Sequence, residues 1–307
     1  MAAALLLLIL VNFVNICSGT RKLSSLYQPP LPLLSYHKGP LLQGDIPISI
    51  LWYGKFTPSQ KSIISDFLLS LTPQPTQHPI SSSTPPSVAK WWSTIDYLVQ
   101  KAGKAKTHIA LANQVTDEHC SIGKLLKKPQ LTELALKANA LSSGVALVLT
   151  ATDIAVEGFC ESACGTHGSI AGSGPAYVWV GNSETQCPGQ CAWPFHQPLY
   201  GPQSPPLGAP NGDVGVDGMV INVAKLLAGA VTNPFGDGYF QGDAGGHVEV
   251  GAACTGVYGK GAYPGYPGEL LVDSSSGGSY NAEGINGKKY LVPAMFDPAT
   301  SSCSPVV

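Results

Sequence analysis

The chain has 307 residues, 44% of them hydrophobic and 12% charged, with a formal net charge of −2. This balance excludes the basic surface that nucleic acid or an anionic membrane calls for, and the apolar content excludes a disordered chain. With 35 Gly and 26 Pro, the expectation is a loop-rich globular protein with a substantial buried core.

Ala2 to Val14 form an apolar run, shorter than the roughly 20 residues a membrane-spanning helix needs. Small residues follow in Ile16-Cys17-Ser18-Gly19, so residues 1–19 read as an export signal cleaved near Gly19. No Lys or Arg precedes the run, and the competing reading is a membrane anchor. No later stretch reads as a span, and the ending Cys303-Ser304-Pro305-Val306-Val307 carries no retrieval signal. The expected location is the extracellular space, with no membrane insertion after cleavage.

Residues 20–45 are rich in Pro and Leu and read as extended. Ile46 to Lys55 alternates and is β-branched, a strand. Thr57-Pro58-Ser59-Gln60 forms a capping box before an apolar helical face of Ile63, Ile64, Phe67, Leu68 and Leu71. Residues 72–86 are a Pro- and Ser-rich loop. A second helix starts at Ser87, buries Trp91, Trp92, Ile95, Leu98 and Val99, and stops at Gly103. His108 to Ala112 reads as a strand, and a third helix follows Pro129 through Leu131, Leu134, Ala135 and Leu141. Val145 to Leu149 has the unbroken apolar character of a central strand. After residue 155, Gly, Pro and Cys dominate, interrupted by a strand at Tyr177 to Val180 and a fourth helix over about Val216 to Ala230. The fold class expected is mixed α/β. Residues 46–307 form one domain, with an α/β N-terminal half and a loop-rich, disulfide-stabilised C-terminal half.

Of eight cysteines, Cys17 leaves with the signal. In an oxidising compartment, Cys160, Cys164, Cys187, Cys191, Cys254 and Cys303 are expected as disulfides of undetermined pairing. Cys120, alone in a charged segment, is the expected free thiol. A zinc site built from the two C-x-x-x-C pairs is the alternative, although zinc sites favour tighter spacing. No Asn-x-Ser/Thr acceptor occurs.

Several long blocks carry a resemblance. They are Ile48-Ser49-Ile50-Leu51-Trp52-Tyr53-Gly54-Lys55-Phe56-Thr57, Val156-Glu157-Gly158-Phe159-Cys160 on to Cys164-Gly165-Thr166-His167-Gly168-Ser169, and Val180 to His196 with its Cys187-Pro188-Gly189-Gln190-Cys191 core. Pro210 to Met219, Asn233-Pro234-Phe235-Gly236 and the Gly-Tyr run at 257–268 complete the set. Together the blocks resemble the plant EXORDIUM, or phosphate-induced, proteins across nearly the whole mature chain. The resemblance implies an apoplastic protein tied to cell expansion, brassinosteroid-responsive growth and carbon status, and it names no reaction. It implies no cofactor.

The fourth helix also resembles the active helix of zinc metalloproteases, where two ligands one turn apart face the metal and a Glu activates its water. Lys225, Leu226 and Gly229 stand at those places. Ammonium replaces imidazole poorly, and leucine takes no proton, so the expectation is a protease-like frame without its metal and base, and no enzyme activity. The segment from Glu249 to Cys254 fits the same frame; an ordinary core helix is the alternative. His167, next to Ser169, is weighed as a catalytic base and read as a loop histidine held by hydrogen bonds. His196 is read as packing near the disulfides. Asp213 and Asp217, with Asn211, read as a helix start, with a calcium loop as the alternative. Trp193, Tyr258, Tyr263 and Tyr266 are candidate ligand-contact aromatics, with packing as the alternative. The partner expected is an extracellular protein or a cell-wall glycan.

Overall fold

The computed structural model describes residues 34–73, 85–161, 163–170, 174–242, 247–297 and 299–307. The expected export signal, the 20–33 stretch and residues 74–84 of the second loop lie outside the described residues.

A five-stranded sheet forms the centre, in the order β3-β2-β5-β8-β7. Its strands are β2 (Gly44–Tyr53), β3 (Thr107–Asp117), β5 (Val145–Thr150), β7 (Gly165–Ser169) and β8 (Ala176–Gly181). The shorter β1 (Ser35–Tyr36), β4 (Leu125–Leu126) and β6 (Ala155–Val156) pair elsewhere. All neighbours in the central sheet are parallel except the edge strand β7, which runs antiparallel to β8. Every residue of β5 is buried, the signature of a strand covered on both faces.

The described helices supply that cover. They are α1 (Pro58–Leu69), α2 (Val88–Lys101), α3 (Lys128–Lys137), the single-turn α4 (Pro188–Cys191) and α5 (Val214–Thr232). α5 lies on β7 and β8 and touches α1, α2 and α4, whereas α3 packs on β2, β5 and β8. α1 starts in the expected capping box: Thr57 Oγ1 accepts from Gln60 N, and Gln60 Oε1 accepts from Thr57 N. Ser87 caps α2 by accepting from Lys90 N. Asp213 caps α5 by accepting from Val216 N at 2.8 Å, so the helix-start reading of Asp213 holds.

Four boundaries differ from the sequence reading. β3 runs five residues past Ala112 because an edge strand tolerates its exposed Asn113, Gln114 and Thr116. α3 stops at Lys137, since Asn139 adopts φ +53°, and Leu141 is left exposed. β7 is a strand where the sequence reads as loop, because Gly-Thr-His-Gly-Ser has no β-branched alternation to betray it. α5 is longer than expected and, at 19 residues with a hydropathy of 1.6, is apolar enough to cross a membrane. α5 thereby corrects the sequence reading that no stretch after the N-terminal run is long and apolar enough for a span. It is 78% buried, and a helix apolar all round is what the core of a large domain requires.

The six expected cysteines pair as Cys160–Cys187, Cys164–Cys191 and Cys254–Cys303. Cys120 is a buried free thiol, its pKa raised by burial against the pull of Lys124. The first two bridges tie the segment leading into β7 to α4, and α4 in turn sits on α5. There a Cβ on Gly218 would lie 2.6 Å from that of Ala192. The loop-rich half is thus cross-linked to the sheet at the strand that carries His167.

Candidate functional site

α5, β7, the 233–236 turn and the short strand β10 (Val248–Glu249), which pairs with β9 (Tyr239–Gln241), enclose a cleft of about 430 Å³. β1, β9 and β10 form a small antiparallel sheet, and this sheet delivers Glu249 from residue 249 to a strand that lies 82 positions earlier. Glu249 Oε2 receives the His167 Nε2–H at 2.6 Å. The other carboxylate oxygen accepts from Asn233 Nδ2, also at 2.6 Å. Asn233 closes the C-terminus of α5 and is fixed from behind by Gly238 N, which donates to its Oδ1 at 2.8 Å.

Burial alone would raise the Glu249 carboxyl. The hydrogen bond and charge of His167, with the Asn233 amide, outweigh it and hold the pKa below the usual range. His167 offers no second nitrogen to the cleft: Nδ1 is buried without a partner among the described residues. The carboxylate is an acceptor, so the Nε2 position carries the hydrogen of this pair.

The three positions of the protease-like pattern lie on this face of α5. Leu226 lines the cleft. Lys225 is half-buried; burial lowers its pKa, and the Glu249 charge opposes part of that shift. Gly229 is the informative one. A Cβ there would lie 2.7 Å from both His167 Nε2 and Glu249 Oε2, closer than real Cβ contacts come. The space a side chain at 229 would use is filled by the hydrogen-bonded His167 and Glu249 side chains. Among the described residues no group of three or more His, Cys, Asp or Glu is arranged to hold a metal.

His167 is therefore a strand residue held by a charged hydrogen bond; the reading of it as a loop residue is corrected, because β8 pairs with it across the sheet edge. His196, expected to pack near the disulfides, is exposed, its Nδ1 3.0 Å from the carbonyl of Gln197. Asp217 is buried and receives Asn211 N at 2.9 Å and Asn211 Nδ2 at 2.6 Å. Asn211 thus braces the first turn of α5 from inside the protein. Of the four candidate contact aromatics, Tyr263 and Tyr266 are exposed and Trp193 is half-buried. Tyr258 is a correction: it is 5% exposed, and its ring packs against Trp193 rather than facing solvent.

Sequence reasoning missed the meeting of His167 with Glu249, since neither residue carries a local motif. The available signal was Gly229 itself, a glycine in the middle of a long apolar helix where propensity disfavours it. His247, which stacks on Phe240 and lines the cleft, was not singled out either.

The profile of the phosphate-induced protein 1 conserved region matches residues 34–306. Protein PHOSPHATE-INDUCED 1 of Nicotiana tabacum is 55% identical, covering 98% of this chain and 97% of its own. Protein EXORDIUM of Arabidopsis thaliana is 52% identical over 98% of each chain. Protein EXORDIUM-like 1 of the same plant is 56% identical over 88% of each. No solved structure matches the chain. Matched along its described length by that profile and by these relatives, the chain belongs to the phosphate-induced, or EXORDIUM, protein family.

Proposed function

We propose that the chain is an extracellular growth regulator, acting in brassinosteroid-dependent and carbon-status-linked cell expansion by binding a protein or a wall glycan rather than by catalysis. Membership of a plant growth-related family supports the role, and three disulfides fit an oxidising compartment. The observation that carries the non-catalytic reading is the His167–Glu249 pair lying over Gly229. A general base needs a nitrogen free to take a proton. Here one nitrogen is committed to the carboxylate, and the other is sealed from solvent. The neighbouring helix positions supply an isobutyl group and an ammonium, neither of which activates water.

The test uses the disulfide-bonded protein without its leader, incubated with plant cell-wall material and with extracellular proteins. Retention without release of sugar or peptide products is expected, and His167→Ala is expected to lower the melting temperature without creating or removing any turnover. Product formation that His167→Ala abolishes would overturn the reading.

A further inference from the structure

A second cleft, of about 500 Å³, opens on the loop-rich half between residues 189–202 and 255–265. One wall is the tight turn Tyr263-Pro264-Gly265-Tyr266. Its end residues exchange backbone hydrogen bonds, Tyr263 N to Tyr266 O at 3.0 Å and Tyr266 N to Tyr263 O at 2.8 Å. Pro264 presets the first central position, and Gly265, at φ +90°, supplies the left-handed second one. The turn sets the two tyrosine rings 5.1 Å apart. Its tip is seated on the facing loop: a Cβ on Gly265 would lie 2.4 Å from Pro202 Cβ. That loop carries Tyr200 and is stapled by Gln203, which accepts from Gln197 Nε2 at 2.9 Å and donates to the Gly201 carbonyl at 3.0 Å. Trp193 forms the floor, its back tilted against buried Tyr258.

Two features stand out for function. Tyr200 and Tyr263 are 83% and 65% exposed, although both sit on braced loops and big rings are ordinarily buried for their area. None of the thirteen lining residues carries a charge. Gln190 and Trp193 line the same cleft as the rings. Among the described residues the Gln190 side-chain amide, the Trp193 Nε1–H and the hydroxyls of Tyr200 and Tyr263 make no hydrogen bond.

We propose that this cleft binds a neutral oligosaccharide, a sugar ring lying on the tyrosine faces while its hydroxyls meet Gln190 and Trp193. A sugar ring has an apolar C–H face that suits an aromatic plane, and a rim of hydroxyls that both donate and accept. The cleft offers the same mixture: flat apolar rings, one donor-only indole, and an amide and hydroxyls that do both. An anionic glycan or a phosphate would require a cation, and the lining has none. A proline-rich peptide presents mostly carbonyl acceptors and few N–H groups, which would leave the acceptor half of the cleft idle. The inference deepens the binding reading above and rests on it.

The experiment titrates the disulfide-bonded protein with a neutral β-glucan hexasaccharide, an oligogalacturonate and a proline-rich peptide. Tryptophan fluorescence and calorimetry provide the readout. The neutral sugar is expected to bind and the other two are not. Tyr200→Ala and Tyr263→Ala are each expected to weaken binding about 3- to 10-fold, the loss of one stacked ring. Both residues are exposed, so unchanged melting temperatures verify the fold, and Gln190→Ala gives an independent loss through the amide. Binding of only the acidic sugar or only the peptide overturns the proposal, as does sugar binding that all three variants leave unchanged. If no probe binds while wall material still retains the protein, the cleft assignment falls and the binding reading stands. Catalytic turnover would instead sink the binding reading itself.

Discussion

Gly229 lacks a side chain because its neighbours need the room. Alanine is favoured over glycine inside a helix by about 1 kcal/mol, so Gly229→Ala would stabilise an ordinary helix. Here the new methyl would press on His167 and Glu249 at 2.7 Å and force apart a charged hydrogen bond worth about 1.5–3 kcal/mol. The second effect wins, and the expected outcome is a net loss of about 1 kcal/mol in denaturant unfolding. A gain in stability would mean the pair does not occupy that space. Asp217 makes the opposite point about charge. Burial raises its pKa to about 7 against the pull of the Asn211 hydrogen bonds. The folded chain therefore keeps a proton that an unfolded Asp, at about 3.9, has released. Stability from this group is full below about pH 4 and is lost as pH rises towards 7, on the order of 4 kcal/mol in all. Glu249, with its pKa held low, acts only at more acid pH. Unfolding measured at pH 5 and pH 8 is expected to show greater stability at pH 5, with Asp217→Asn flattening the difference; parallel curves for the two proteins would contradict this.

At the scale of elements, what the sequence disclosed was set by local chemistry. α1 and α2 were legible because capping residues and an apolar stripe coincide, and β5 because its apolar run is unbroken. β7 was not, since two glycines, a serine and a histidine form a strand only because β8 offers them a partner. The same holds for the site: Lys225, Leu226 and Gly229 were visible as a pattern, whereas the His167–Glu249 contact depends on a small sheet in which β1 and β10 both pair with β9. Cross-links hold these weakly coded pieces in place. The Cys254–Cys303 bridge spans 49 residues and the other two span 27 each, so chain-entropy arguments assign each about 3.5–4 kcal/mol. Replacing Cys254 and Cys303 together by Ser is expected to lower unfolding stability by about that amount. The change should leave β7 and its histidine intact, because the two bridges that anchor β7 remain. Loss of the His167–Glu249 contact in that variant, read by the histidine ring signals in NMR, would show that the C-terminal bridge also supports the site.

At the scale of the whole molecule, an α/β core carries a loop-rich half whose ring-lined cleft is separate in sequence from the cleft over α5. Family membership places the chain among the phosphate-induced, or EXORDIUM, proteins, and the physical account adds that the space over Gly229 is occupied by the His167–Glu249 hydrogen bond. The most direct measurement of that claim is peptide hydrolysis by the purified, disulfide-bonded protein with zinc supplied and then chelated. The account predicts no cleavage in either condition, because an ammonium, an isobutyl group and a committed imidazole stand where a metal and its water would act. Cleavage that appears with zinc, disappears with chelator and co-purifies with stoichiometric metal would contradict it.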